Sequence, residues 1–592
     1  MSGTVADPAT KATDGEISVS RLDDAFPPIN WPVTASHFKA LVYLNPGPNK
    51  LRFDFAMPKL VNSGSSNPIH STTITIHMMP MSSSPPLQLC ILVAKDSPGT
   101  FDSTPARIST EGNGLETAIR KFRMCAYLWQ AYTAEQMFRN KMGRRCFRFE
   151  EEWQTGTSSF RDRDQNTMRN EAKIHVIRTN RTVAELRDPN IAQQNPHATD
   201  KNGLFHIAGE ALNEYFKPKP GQEIYASVLI LDTHWDASAK LLTGHAALGG
   251  SSVNGIKMGI FGSHALHSYP SAFEEVVPAF TDCTKTDTTY CANDCNESAS
   301  SWEACNIGIG AHLHETGHLL GCPHQENGIM LRDYVTLNRT FITKESFCCR
   351  ANTKGGLVLE DDECTWHRLD LLRFRSHPCF RLPNDAKLPA DKSVQAWPVD
   401  NSNVLVTAAS GVAFIELFPG GDGTCHWWVE YGDGNGRGPV QRQVVLKDAE
   451  LKSMLPESER GKKLKLVVHS YGGGTHEIPD FGLLTSKAST LKLANGQTAF
   501  RGAKLGLSRT KGSQSEEVIF TSALNLVSNK VDLGLFDTSK QSKVMMTKVV
   551  IYHGLFLDGM EFIYEAGQPQ LFGKRGGKKG GSEFRLGKHG SN

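Results

Sequence analysis

The chain has 592 residues, 64 Lys+Arg against 62 Asp+Glu, and a formal net charge of +2. One hydrophobic core does not serve that length, so several domains are expected, and a near-neutral balance removes any global electrostatic reason to expect nucleic acid or a membrane as partner. The opening MSGTVADPATKATDGEIS lacks the apolar core of a signal peptide and no apolar run is long enough to span a bilayer, which makes the cytoplasm the default location.

Residues 1–30 are polar and expected to be disordered. Over 31–104, ALVYLNPGPNKLRFDF sets a Pro-Gly-Pro turn between two alternating runs, and TTITIHMM and LQLCILVA follow at short intervals, the pattern of a small β-sandwich. From Leu115 the period becomes helical, with Leu115, Ala118, Ile119, Phe122, Ala126 and Trp129 on one face, and a domain over 105–385 begins. In it AKIHVI and YASVLIL flank a helical GEALNEYF, and LLTGHAALGG (241–250) reads as a further strand, an alternation of helix and strand. Over 386–500 GVAFIEL and KLKLVVHSY, separated by Gly-rich turns, read as all-β structure, and VVIYHG extends that character into a last segment, 501–592. The predicted fold class is α+β multi-domain, a mixed catalytic domain flanked by all-β domains.

The chemistry is concentrated in HETGHLLGCPH, from His314 to His324. GIGAHLHETGHLL has helical length and pattern, and residues four apart on a helix lie one above the other, so His314 and His318 present two imidazoles to one point. Gly321 can take the positive φ that ends a helix and Pro323 cannot extend one, so the chain turns back and His324 can be the third ligand. A catalytic zinc has three protein ligands and an open position for water, whose pKa it lowers toward about 7. Glu315 cannot easily reach the same point as its neighbour but can serve as general base. The full HExxHxxGxxH pattern is expected by chance roughly once in ten thousand chains of this size, against a few per cent for plain HExxH.

The extended string resembles the metzincin clan of zinc endopeptidases. That resemblance implies His314, His318 and His324 as zinc ligands and Glu315 as general base, and it assigns Met330, in NGIMLRDY, to the clan's methionine turn. Where some metzincins carry a zinc-approaching tyrosine this chain has Arg332, and Tyr334 follows as the candidate transition-state stabiliser. LLTGHAALGG looks like the clan's edge strand, which pairs with an extended substrate. Along nearly the whole chain, LNPGPNKLRFDF, AYLWQAYTAEQM, HETGHLLGCPHQENGIMLRDY and HGLFLDGMEFIY with LFGKRGGKKGGSEF are similar to a fungal family of zinc metallopeptidases that end in a jacalin-type lectin domain. The resemblance implies carbohydrate as a partner of residues 501–592, in a segment expected to be truncated because the family's later strands do not follow Gly581.

Thirteen cysteines are an odd number, so at least one is expected to stay unpaired within the chain. Cys283, Cys291, Cys295 and Cys305 precede the motif and Cys348, Cys349, Cys364 and Cys379 follow it, a set from which a second, structural zinc site is possible. The expected function is zinc-dependent hydrolysis of peptide bonds, as an endopeptidase, with a peptide or protein substrate and neither nucleic acid nor membrane as partner. The alternative is a non-catalytic glycan- or protein-binding protein whose zinc is structural.

Overall fold

Alternation builds the first sheet. In GEISVSR, INWPVT and GPNKLRFDFA the buried apolar residues are Ile17 and Val19, then Ile29, Trp31 and Val33, then Leu51, Phe53 and Phe55, every second side chain on one face. The strands β1 (Ser2–Thr4), β2 (Gly15–Arg21), β3 (Ile29–Thr34), β4 (His37–Lys39), β5 (Gly47–Ala56) and β6 (His70–Met78) pair in the order β1-β4-β3-β2-β5-β6. All these pairings are antiparallel. The structure, a computed structural model, describes residues 1–5, 12–57, 70–81, 83–389, 391–432, 439–486, 490–492, 498–500, 546–553, 557–564, 568–573, 575–576 and 581–585. Two compact units divide the chain, 1–387 and 388–592.

Two sequence expectations are corrected in this region. Residues 15–30, expected to be disordered, supply β2 in the middle of the sheet and the first residues of β3; their alternation is short and hidden between polar flanks. The expected sandwich over 31–104 is instead one sheet docked on the rest of its unit. Trp31 and Phe26 meet the Phe273 ring edge-on at 6.4 and 5.6 Å, and buried Lys39 pairs with buried Glu363 at 2.6 Å.

The central sheet contains β7 (Leu87–Val93), β10 (Ile174–Arg178), β11 (Ile224–Ile230), β14 (Leu248–Ser251) and β15 (Ile256–Gly262), in the order β10-β7-β11-β15-β14. Its strands are parallel except β14, which runs antiparallel to β15. Every residue of β7 is buried, the signature of a strand covered on both faces, which is why LQLCILV belongs here and not with the alternating strands before it. Two hairpins, β8 (Glu151–Thr155) with β9 (Met168–Ala172) and β12 (His234–Asp236) with β13 (Leu241–Thr243), lie outside this sheet. The run 241–250 is therefore two strands, β13 and β14, in two different sheets.

Helices cover both faces. On one side α2 (Gly203–Phe216) buries Leu204, Ala208 and Leu212 against Ala226, Val228, Ile230, Met258 and Ile260. On the other lie α1 (Leu115–Arg139) and α3 (Ser301–Leu319), tied together by the Trp129 indole N–H donating to the Ile309 carbonyl at 2.9 Å. A fourth helix, α4 (Arg368–Ser376), follows. The unit is thus mixed α/β, with helices on both faces of a mostly parallel sheet. No helix among the described residues is long and apolar enough to cross a membrane.

In the second unit β16 (Val394–Pro398), β17 (Asn403–Ala408) and β20 (Gln443–Lys447) form one sheet. A second contains β18 (Val412–Pro419), β19 (Trp427–Glu430), β21 (Leu464–Ser470) and β22 (Thr475–Ile478). Val404, Val406 and Val444 of the first share a core with Ile415, Leu417, Leu466 and Val468 of the second, a sandwich. β23 (Thr490–Lys492) pairs with β24 (Thr498–Phe500), and β25 (Met546–His553), β26 (Leu557–Tyr564), β27 (Gln570–Gly573) and β28 (Ser582–Arg585) make a sheet in the order β27-β26-β25-β28. Residues 501–545 and 586–592 of the segment for which the sequence predicts a jacalin-type lectin domain lie outside the described residues.

Candidate metal centre

Helix α3 starts where Glu303 folds back on its own N-terminus, accepting the Ser300 amide at 3.0 Å and the Ser300 hydroxyl at 2.7 Å. Its length is almost entirely buried, and its seat on the sheet depends on small residues: a Cβ on Gly249 of β14 would lie 2.3 Å from the Glu315 carbonyl oxygen, and one on Gly259 of β15 2.6 Å from it. The helix ends at Leu319, and Gly321 takes φ +91° with its amide donating to the His318 carbonyl at 3.0 Å. That turn brings His324 back over the helix.

The three imidazoles meet. Ring centroids of His314 and His318 are 4.7 Å apart, His318 and His324 4.9 Å, and His314 and His324 5.3 Å. One nitrogen from each lies within 4.8 Å of the others. His314 Nδ1 donates to the Ile329 carbonyl and His318 Nδ1 to the Cys322 carbonyl, both at 2.8 Å, which leaves each Nε2 with its lone pair free. Burial pushes His314 down to about 4 against the opposing bond from Ile329, with His318 and His324 adding to the depression, and burial lowers His318 as well. Both are therefore neutral near pH 7, the form that binds a metal. Burial falls from His314 through half-buried His318 to exposed His324, so the group has an open side. This donor set suits zinc.

Glu315 is 7 % exposed, and burial pushes its carboxyl up to about 8. Met330 is fully buried, with its Sδ 2.5 Å from where a Cβ on Gly317 would sit, directly against the helical turn that carries both histidines. The Tyr334 ring meets His314 edge-on at 5.9 Å, and Arg332 Nε donates to its hydroxyl at 3.2 Å. Burial raises the Tyr334 phenol while Arg332 opposes it, and the Glu315 carboxylate adds to the rise. The three imidazoles and the Tyr334 ring thus come together, with Met330 against Gly317 of the same helix and Glu315 next to His314 on it.

Some of the surroundings carried no sequence signal. Arg332 sits at φ +110°, where a side chain is strained, and its guanidinium also pairs with Glu297 at 2.9 Å. The Ile329 and Cys322 carbonyls that orient the imidazoles are backbone groups, which residue identity does not mark. Among the described residues the His triad is the one group of three or more His, Cys, Asp or Glu side chains close enough to hold a metal ion. Among the described residues, no three of the cysteines around the motif lie close enough together to hold a second metal ion.

Comparison with known proteins agrees with this geometry. Residues 1–413 match a family described as "Putative peptidase family". The chain belongs to that family. A protein of Saccharomyces cerevisiae named "Putative zinc metalloproteinase" is 40 % identical over 575 residues, covering 93 % of this chain and 77 % of that protein. Another of the same name from Schizosaccharomyces pombe is 34 % identical over 564 residues, covering 95 % of this chain and 82 % of its own length. The family match takes in the N-terminal sheet together with the metal centre, as the shared compact unit does.

Proposed function

We propose that this chain is a zinc-dependent endopeptidase of metzincin type, with its catalytic domain over about 105–385. The observation that carries the reading is the open-sided triad whose Nδ1 protons are committed to backbone carbonyls, beside a buried carboxyl. His314, His318 and His324 would hold the metal, which when bound supplies a Lewis acid and a water acidified toward a pKa of about 7. Glu315, as the carboxylate that the metal's positive charge would favour against the effect of burial, would accept the proton of the attacking water and return it to the departing amide nitrogen. Tyr334 donates its phenolic hydrogen toward the oxygen of the scissile carbonyl, with Arg332 holding the phenol in place. Met330 fixes the floor beneath the ligating turn.

The substrate is a peptide or protein in extended form, laid along the free side of β14, which runs directly past the catalytic helix at Gly249. The names of the relatives support peptidase chemistry, and the exposed side at His324 supports a catalytic over a closed structural site. The test is Glu315→Gln. It keeps side-chain size and should keep zinc, while hydrolysis of peptides falls by about 10²–10⁴, the range of general-base catalysis. Equal cleavage by the two proteins at equal zinc content would remove Glu315 from the mechanism.

A further inference from the structure

Strand β14 is the last of the central sheet, and among the described residues no further strand pairs with it. In an antiparallel pair the N–H and C=O of alternate residues point to the partner and away from it. The Ser252 amide donates to the Ile256 carbonyl at 2.7 Å, so Ser252, Gly250 and Leu248 face β15. By the same alternation Ala247, Gly249 and Ser251 face outward. Gly249 is the one beside the catalytic helix.

At Ala247 the outward groups are already taken. Gln193 Nε2 donates to the Ala247 carbonyl at 2.9 Å, and the Ala247 amide donates to Gln193 Oε1 at 2.7 Å. One carboxamide therefore makes with Ala247 both bonds that a residue of an added antiparallel strand would make. The side chain is presented from a fixed place: Ala192 before it is fully buried, Ile191 packs on the core under α2, and the Asn195 side chain ties the following turn to the Pro189 carbonyl at 2.8 Å. Glutamine loses considerable rotamer freedom when held, so a bidentate arrangement on a sheet edge is a defined feature and not a default surface state.

We propose that Gln193 is a stop on the substrate-binding edge. It occupies the pairing position at Ala247, so the backbone of a bound peptide gains its ladder bonds from Gly249 and Ser251 and leaves the edge before Ala247. This rests on the reading of β14 as the substrate strand. Gln193 is a specificity determinant on that reading: it limits how many residues on one side of the scissile bond are rewarded by backbone pairing, and it blunts an edge that would otherwise template strand addition further along.

The experiment has two readouts on the full-length zinc-loaded chain. Hydrogen exchange should find the Ala247 amide protected while those of Gly249 and Ser251 exchange fast, and Gln193→Ala should bring Ala247 to the rate of its two neighbours. In parallel, a peptide that wild type cleaves is lengthened by single alanines at either end and kcat/KM is followed. Wild type should reach a plateau at both ends, and Gln193→Ala should lift it at one end only, by about fivefold to tenfold, the worth of one or two net hydrogen bonds. An unchanged plateau with Ala247 freed, or a rapidly exchanging Ala247 amide in wild type, overturns the proposal. So does loss of activity on the shortest peptide with zinc retained, which would make Gln193 a support of the strand. Should wild type cleave no peptide while Ala247 stays protected, it is the peptidase reading that has failed, and the substrate role of Gln193 goes with it.

Discussion

Two groups of histidines in the first unit differ in what would let a histidine serve as a metal ligand. His314, His318 and His324 converge on an open side, two of them with Nδ1 bonded to a carbonyl. His312, two residues before His314 on the same helix, points into the sheet instead. It is fully buried, burial pushes it down to about 3, its Nε2 lies 3.0 Å from the Ser227 hydroxyl, and it stacks between Phe122 at 5.4 Å and Phe261 at 5.5 Å. His267 is pushed down to about 3 by the same cause, and His264 pairs with Asp294 at 3.0 Å. Low basicity is common to His314, His312 and His267, so it does not separate ligand from core. Separation comes from wiring: a free Nε2, two neighbours aimed at the same point, and access from solvent.

The comparison breaks most sharply at His318. His318→Ala removes the middle ligand, and zinc should fall from about one per chain to background, with peptide cleavage lost altogether. Metal analysis of the purified variant is the check. Full zinc occupancy would mean that the triad is not the metal centre.

The opposite behaviour is expected of His312. His312→Ala opens a cavity between two aromatic rings and leaves the Ser227 hydroxyl without its imidazole partner, which should cost about 2–4 kcal/mol of stability. Zinc content and kcat of the folded protein should stay close to wild type. Urea unfolding followed beside metal analysis tests both halves, and loss of zinc without loss of stability would put His312 with the ligands.

The sequence made one of these groups legible and not the other. The proposed ligands fall within His314–His324, where helix geometry and one glycine turn fix their placement, so eleven consecutive residues hold nearly all the information needed. His312 differs from them only in pointing inward, and that is decided by strands β11 and β15, far away in the chain. The same limit explains the rest. LQLCILV is an unbroken apolar run with no period to separate it from its sequence neighbours, and Gly249 is a seat for α3 through a contact more than sixty residues distant. The bond between Gln193 and Ala247 spans fifty-four positions and involves a backbone group, which no motif encodes.

The smallest effect sharpens the comparison at its edge, where a tyrosine touches the ligand group without joining it. Tyr334 packs on His314 and receives a bond from Arg332, so Tyr334→Phe keeps the ring contact and removes only the hydroxyl. Zinc content and KM should hold while kcat falls by about tenfold, below the 10²–10³ of a dedicated oxyanion donor because the phenol is shared with the guanidinium. Arg332 can be tested without backbone strain, since glycine accepts φ +110° where alanine would not. Arg332→Gly should lower kcat in the same direction by a smaller factor, and combined with Tyr334→Phe it should add little, because Arg332 acts through the phenol. Independent, multiplying losses in the double variant would give Arg332 a contact with substrate of its own; unchanged kcat in Tyr334→Phe would reduce Tyr334 to a packing partner of His314.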